Sequence, residues 1–157
     1  MDWSPFVLCP AGERPPSTRS INTKEGVGDR LRTAAFAELQ AREAFLWAAE
    51  KWSIEEWRRV AMEEDKHLGW LLARMKQLGV DPAERPVSDA LWRSLTACAT
   101  LADFASYMYT AEERGRSAEV SFSRSLAQSD PVTAKIFDAI AAEEEQHLSL
   151  GRKLLGK

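Results

Sequence analysis

The sequence predicts an all-α protein: four long amphipathic helices in two antiparallel hairpins, joined by a crossover with a short helix, behind an extended N-terminal arm. Three observations predict it. Apolar residues recur at close to the helical period of about 3.6 over four long stretches. The seven prolines avoid those stretches: four precede residue 17, and Pro82, Pro86 and Pro131 fall between periodic segments. Third, the segment Val60-Ala61-Met62-Glu63-Glu64-Asp65-Lys66-His67-Leu68 returns in shape as Ile140-Ala141-Ala142-Glu143-Glu144-Glu145-Gln146-His147-Leu148.

A chain of 157 residues with 45% apolar and 29% charged residues can bury one core of ordinary size. A net charge of −3 gives no broad positive field for nucleic acid or anionic membrane. Cys9 and Cys98 lack metal-type spacing and fit a reducing, cytoplasmic setting. No stretch approaches the ~18–20 apolar residues of a membrane span, and Met1-Asp2-Trp3-Ser4-Pro5 lacks the basic start of a secretion signal.

Residues 1–25 form the expected arm, because Pro5, Pro10, Pro15 and Pro16 forbid a helix. Trp3 and Phe6 are too apolar for water and are expected to anchor it on the helices or on a partner subunit of a homodimer. The basic residues Arg14, Arg19, Lys24, Arg30 and Arg32 read as a solvated strip. Residues 26–157 carry the helices. The first runs from about Val27 to Trp52, with Glu38 in the middle of its apolar stripe and Glu43 and Glu50 off it. Ser53, with Glu56 three residues on, is expected to cap the second helix, which ends at the Gly79 cap. Its stripe includes Glu64 and His67. Ser88 caps a short helix through Leu95, where Trp92 packs. The third long helix spans about 98–128, with Glu112 and Glu119 in its inner series and Glu113 off it. Asp130, followed by Pro131, caps the fourth, whose inner face carries Glu144, His147, Gly151, Leu154 and Leu155.

A carboxylate on a core face costs several kcal/mol unless something compensates it. Here four such groups fall at matching depths. Glu38 is about 14 residues before the first hairpin turn and the Glu64/His67 pair about 13 after it, a mismatch of roughly 2 Å at ~1.5 Å per residue. Glu43 would miss by about 5 Å. Glu112 and the Glu144/His147 pair likewise match across the second turn, whereas Glu119 would miss by roughly 8 Å. Glu and His three residues apart share a helix face. Two such pairs with one further Glu from each of two other helices is the donor set of a carboxylate-bridged two-metal site. The expected ligands are therefore Glu38, Glu64, His67, Glu112, Glu144 and His147. Glu64 and Glu144 would bridge, Glu38 and Glu112 would be terminal, and two divalent ions would balance four carboxylates. A metal-free hydrogen-bonded polar core is the alternative.

The stretch Ala35-Phe36-Ala37-Glu38-Leu39-Gln40-Ala41-Arg42 resembles the first ligand motif of rubrerythrins. Val60–His67 and Ile140–His147 resemble that superfamily's second and fourth helices. Glu112-x-Arg114-Gly115 and the long crossover are closer to the ferritin-like branch that holds MiaE-type tRNA hydroxylases. No rubredoxin-type Cys-x-x-Cys is present. The resemblance covers residues 27–155. It implies a ferritin-like four-helix bundle binding two ions, iron, or manganese or a mixed pair. It also implies an oxygen- or peroxide-activating oxidoreductase or hydroxylase that uses an external electron donor. The substrate would be a small molecule or a modified nucleoside. Ferroxidase or iron-handling activity is the alternative. Tyr109, one turn before Glu112, is the candidate catalytic residue. Arg42 and Arg114 are expected to support the ligand carboxylates, and Gly115 to leave space for a substrate or for close packing.

Overall fold

A computed structural model describes residues 1–156, with Leu154 described by its backbone alone. The inward side chain expected for Leu154 lies outside the described residues. The described residues are all-helical and form no strand, with α1 (Lys24–Trp52), α2 (Glu56–Leu78), α3 (Ala90–Thr96), α4 (Leu101–Leu126) and α5 (Pro131–Leu154). The chain divides into two compact units, Met1–Arg93 and Ser94–Lys157. Among the described residues, no helix is long and apolar enough to cross a membrane.

In the first unit α1 packs on α2. α1 starts three residues earlier than its apolar stripe requires, because Thr23 accepts a hydrogen bond from the Gly26 amide (3.0 Å) and fixes the first turn. Gly26 is required there: a Cβ would lie 1.7 Å from the Ser20 carbonyl oxygen. The turn between α1 and α2 departs from expectation. Ser53 does not cap α2. It takes the left-handed conformation (φ 55°) and closes α1, its amide bonding the Ala49 carbonyl, while Glu55 precedes α2 with no capping side chain. Only three residues separate the helices, and reversing the chain that quickly needs a left-handed residue. Gly79 ends α2 in the same conformation.

The arm is bound to this unit. Trp3 and Phe6 are buried, and their rings meet Phe36 of α1 at 5.4 and 5.1 Å between centroids. Trp3 also meets Trp92 edge-on at 5.7 Å. A short parallel bridge joins Leu8 to Val87, with Cys9 N–H to Val87 O at 2.8 Å and Val87 N–H to Val7 O at 2.9 Å. The basic strip is solvated at Arg14 and Lys24 but not at Arg19, Arg30 and Arg32. Arg32 is 2% exposed. With Arg19 and Arg85 it converges on buried Asp29, at 2.7–3.1 Å. A guanidinium can lie this deep only because carboxylate and carbonyl oxygens take its donors; Arg32 also donates to the Asp81 carbonyl and to Glu84.

In the second unit α4 packs on α5. Thr100 caps α4 through the Asp103 amide at 3.1 Å, so the helix begins at Leu101 rather than Cys98. Asp130 caps α5 through Thr133, with Pro131 at its start. Phe104, Met108, Leu126, Phe137, Ile140 and Leu148 supply buried apolar surface.

Candidate metal centre

Each unit presents two carboxylates and one imidazole from a pair of helices. In the first, α1 supplies Glu38 and α2 supplies Glu64 and His67, one turn apart on the same face. All three are buried. His67 Nδ1 lies 3.7 Å from Glu38 Oε2 and 4.0 Å from Glu64 Oε2. In the second, α4 supplies Glu112 and α5 supplies Glu144 and His147. His147 Nδ1 lies 3.7 Å from Glu112 Oε2 and 3.1 Å from Glu144 Oε2. Both histidines turn the same nitrogen toward their carboxylates.

These separations decide between two uses of the groups. A direct hydrogen bond needs about 2.7–3.2 Å, which Glu144–His147 meets and the Glu38, Glu64 and Glu112 separations do not. Two ligands held at ~2.1 Å from one ion stand roughly 3.0 Å apart at a right angle and about 4.2 Å apart across it. All four measured separations fall inside that interval. Glu112 Oε1 is buried and makes no hydrogen bond among the described residues. Oxygen and imidazole donors suit iron, manganese or zinc. The residues fit a metal ion.

The electrostatics of the second unit agree. Burial raises the Glu112 carboxyl well above its usual range, and the neighbouring Glu144 carboxylate raises it further. Burial alone would lower His147, but hydrogen bonds and charge from Glu112 and Glu144 outweigh it and push the imidazole up to about 10. Buried carboxylates set this close together call for a compensating positive charge.

The other sequence candidates fall elsewhere. Glu50 and Glu113 are exposed, and Glu63 is half-buried against Lys66. Glu119 is buried on α4 two turns past Glu112. Arg42 does not support a ligand: it pairs with Glu43 at 2.7 Å and with Asp65 at 2.5 Å, because its guanidinium leaves α1 on the polar side. Arg114 is exposed. Gly115 is exposed as well, with nothing within 4 Å of a Cβ built on it, so it permits no close packing. The close-packed glycine is Gly151, where a Cβ would meet the Tyr109 ring at 3.2 Å. Tyr109 is half-buried, lies against Gly151 and accepts a hydrogen bond from Arg152 Nε at 3.3 Å. One neighbour was missed in the sequence: Trp70, whose ring centroid is 5.4 Å from that of His67. Its position three residues after His67 was the available signal.

Fold and side chains together define an all-α protein whose buried carboxylate–histidine groups can hold a metal ion. The chain belongs to the family described as Protein of unknown function (DUF455), which matches residues 9–157. No curated protein matches it, and no solved structure does.

Proposed function

We propose that the protein is a di-metal carboxylate oxidoreductase of the ferritin-like kind, with each of the two carboxylate–histidine groups holding one ion. The observation that carries this reading is the equivalence of the halves. Each has one Glu from the leading helix and a Glu-x-x-His from the following one, with the same Nδ1 facing carboxylates at 3.1–4.0 Å. Glu38, Glu64 and His67 would hold one ion, and Glu112, Glu144 and His147 the other. Iron bound there would supply the electrons for activating oxygen or peroxide, after which an external donor restores them.

The chain's own residues set the conditions. Four carboxylates balance the charge of two divalent ions, which keeps the loaded site near neutral in a buried environment. Six side chains for two ions leave positions open for a small molecule. Tyr109 has the proposed role of proton or hydrogen-bond donor: Arg152 fixes its oxygen as an acceptor, and its own proton stays available.

The test is turnover by iron-loaded protein supplied with a chemical reductant, with oxygen consumption and organic products followed together. Oxygen uptake that needs reductant and falls at least about 100-fold in Glu64→Ala supports the reading. Uptake that stops after one equivalent and leaves ferric mineral points to iron handling instead. Absence of bound metal after expression in iron-rich medium overturns both.

A further inference from the structure

On the far side of α1 from Glu38 lies a cavity that the metal chemistry does not use. Its α1 wall is Asp29, Arg32, Thr33, Phe36, Ala37 and Gln40. At about 100° per residue that stripe is centred roughly 170° around the helix from Glu38. The opposite walls are the arm at Pro15, Pro16 and Thr18 and the crossover from Arg85 to Leu91. Its volume of about 190 Å³ is small beside the roughly 300–1,000 Å³ of drug-sized pockets. The space suits a compact ligand.

Its polar groups say which kind. Asp29 is the only carboxylate in the lining, and it already accepts five hydrogen bonds, from the Arg19 amide and guanidinium and from Arg32 and Arg85. The cavity therefore has no acidic group left to attract a cation. Three guanidiniums, Arg19, Arg32 and Arg85, face two carboxylates, Asp29 and Glu84, leaving one positive charge. Arg85 is placed to carry it: Arg32 is buried, Arg19 spends its Nε and Nη2 on Asp29, and Arg85 lines the cavity. Nη1 of Arg85 bonds the Ser17 carbonyl (3.1 Å) and Asp29 (2.8 Å), and its Nε and Nη2 make no hydrogen bond among the described residues. Those two nitrogens form the edge with which Arg19 grips Asp29, at 3.0 and 2.7 Å. Such an edge matches the two oxygens of a carboxylate. The Gln40 amide does not compete for the role, because its oxygen accepts from the Trp92 amide and its nitrogen donates to the Phe36 carbonyl. The rest of the lining is mostly apolar, with Pro15, Pro16, Phe36, Pro86, Val87 and Leu91, and carries the hydroxyls of Thr18, Thr33 and Ser88, which are neutral.

We propose that this cavity is a binding site for a small carboxylate with an apolar body. Its oxygens lie on the open edge of Arg85, and its carbon frame lies against the prolines, Phe36 and Leu91. A single negative charge neutralises the excess of the ion network, and the apolar body covers surface that the arm leaves in contact with water. The site stands apart from the metal centre and does not depend on it.

The test uses the full chain and a fluorobenzoate titration followed by fluorine NMR, with fluorobenzamide as the uncharged probe and inorganic phosphate as competitor. Fluorobenzoate should bind saturably below about 10 mM, fluorobenzamide at least about tenfold more weakly, and phosphate should compete poorly. Arg85→Gln should weaken fluorobenzoate by at least about tenfold. Arg85 also steadies Asp29, so a second variant, Ala37→Phe, fills the cavity from an exposed helix position outside the ion network and should abolish binding in a protein that melts like the parent. The proposal fails if fluorobenzoate does not saturate, if the amide binds as well as the acid, if phosphate displaces the probe as effectively as benzoate does, or if a folded Ala37→Phe chain binds unchanged.

Discussion

The α1–α2 pair and the α4–α5 pair carry the same two carboxylates and one imidazole, yet differ in what surrounds the leading helix. On α1, the face opposite Glu38 is covered by the arm and crossover, with Trp3 and Phe6 on Phe36 and three arginines on Asp29. On α4, the residues that follow Glu112 toward the C-terminus, Glu113, Arg114 and Gly115, are exposed. The turns differ as well: a left-handed Ser53 closes the first, and Asp130 with Pro131 opens the helix after the second. Helical period and equal depth from a turn are thus enough to bring a Glu to a Glu-x-x-His. The extra covering of α1 serves something else, which we assign to the carboxylate cavity.

The sharpest way to break the comparison is to remove one carboxylate from each half. Glu64→Ala and Glu144→Ala should each lower bound metal from two ions per chain to one or none, read by elemental analysis of protein purified without chelator. An effect confined to one of them would show that the halves are not equivalent. Next in size, Asp29→Ala should cost about 3–5 kcal/mol in denaturant melts, since it leaves buried arginine charge without its partner. Metal content per folded chain should not change.

The same aspartate sets a pH limit. The Arg19 hydrogen bonds hold the Asp29 carboxyl well below its usual range, against the effect of burial, with Arg85 adding to them. A folded-state value below the unfolded one stabilises the chain fully above the unfolded carboxylate value of about 3.9, and that share is lost as pH falls toward the folded value. Melting temperature should therefore drop below about pH 4 in the parent, and Asp29→Asn should flatten that acid limb. A smaller effect separates the glycines. Gly151→Ala should cost about 1–2 kcal/mol by crowding Tyr109, whereas Gly115→Ala, with open space around it, should stabilise α4 by up to about 1 kcal/mol. Smallest of all, Glu43→Ala and Glu113→Ala should leave metal content unchanged and stability within about 0.5 kcal/mol.

Much of this was legible in the sequence, because helix geometry is regular. Period put Glu38, Glu64, His67, Glu112, Glu144 and His147 on inner faces, and counting residues from each turn brought each Glu to its own Glu-x-x-His rather than selecting Glu43 or Glu119. Proline placement located the arm, and the bulk of Trp3 and Phe6 identified its anchors. What escaped depends on partners distant in sequence. Arg32 reads as a surface charge until Asp81 and Glu84 fold back onto it. Arg42 reads as a neighbour of Glu38, one turn on along the helix, yet Glu43 and Asp65 take its guanidinium. Ser53 has the composition of a cap, but the shortness of the turn decides its conformation. The cavity was invisible for the same reason: three separate segments build it.

The most direct measurement is the anomalous diffraction of iron-loaded crystals at the iron edge. The account predicts two peaks per chain, one bonded to Glu38, Glu64 and His67 and the other to Glu112, Glu144 and His147. A single peak, no peak, or iron bound only by exposed acidic residues would contradict it.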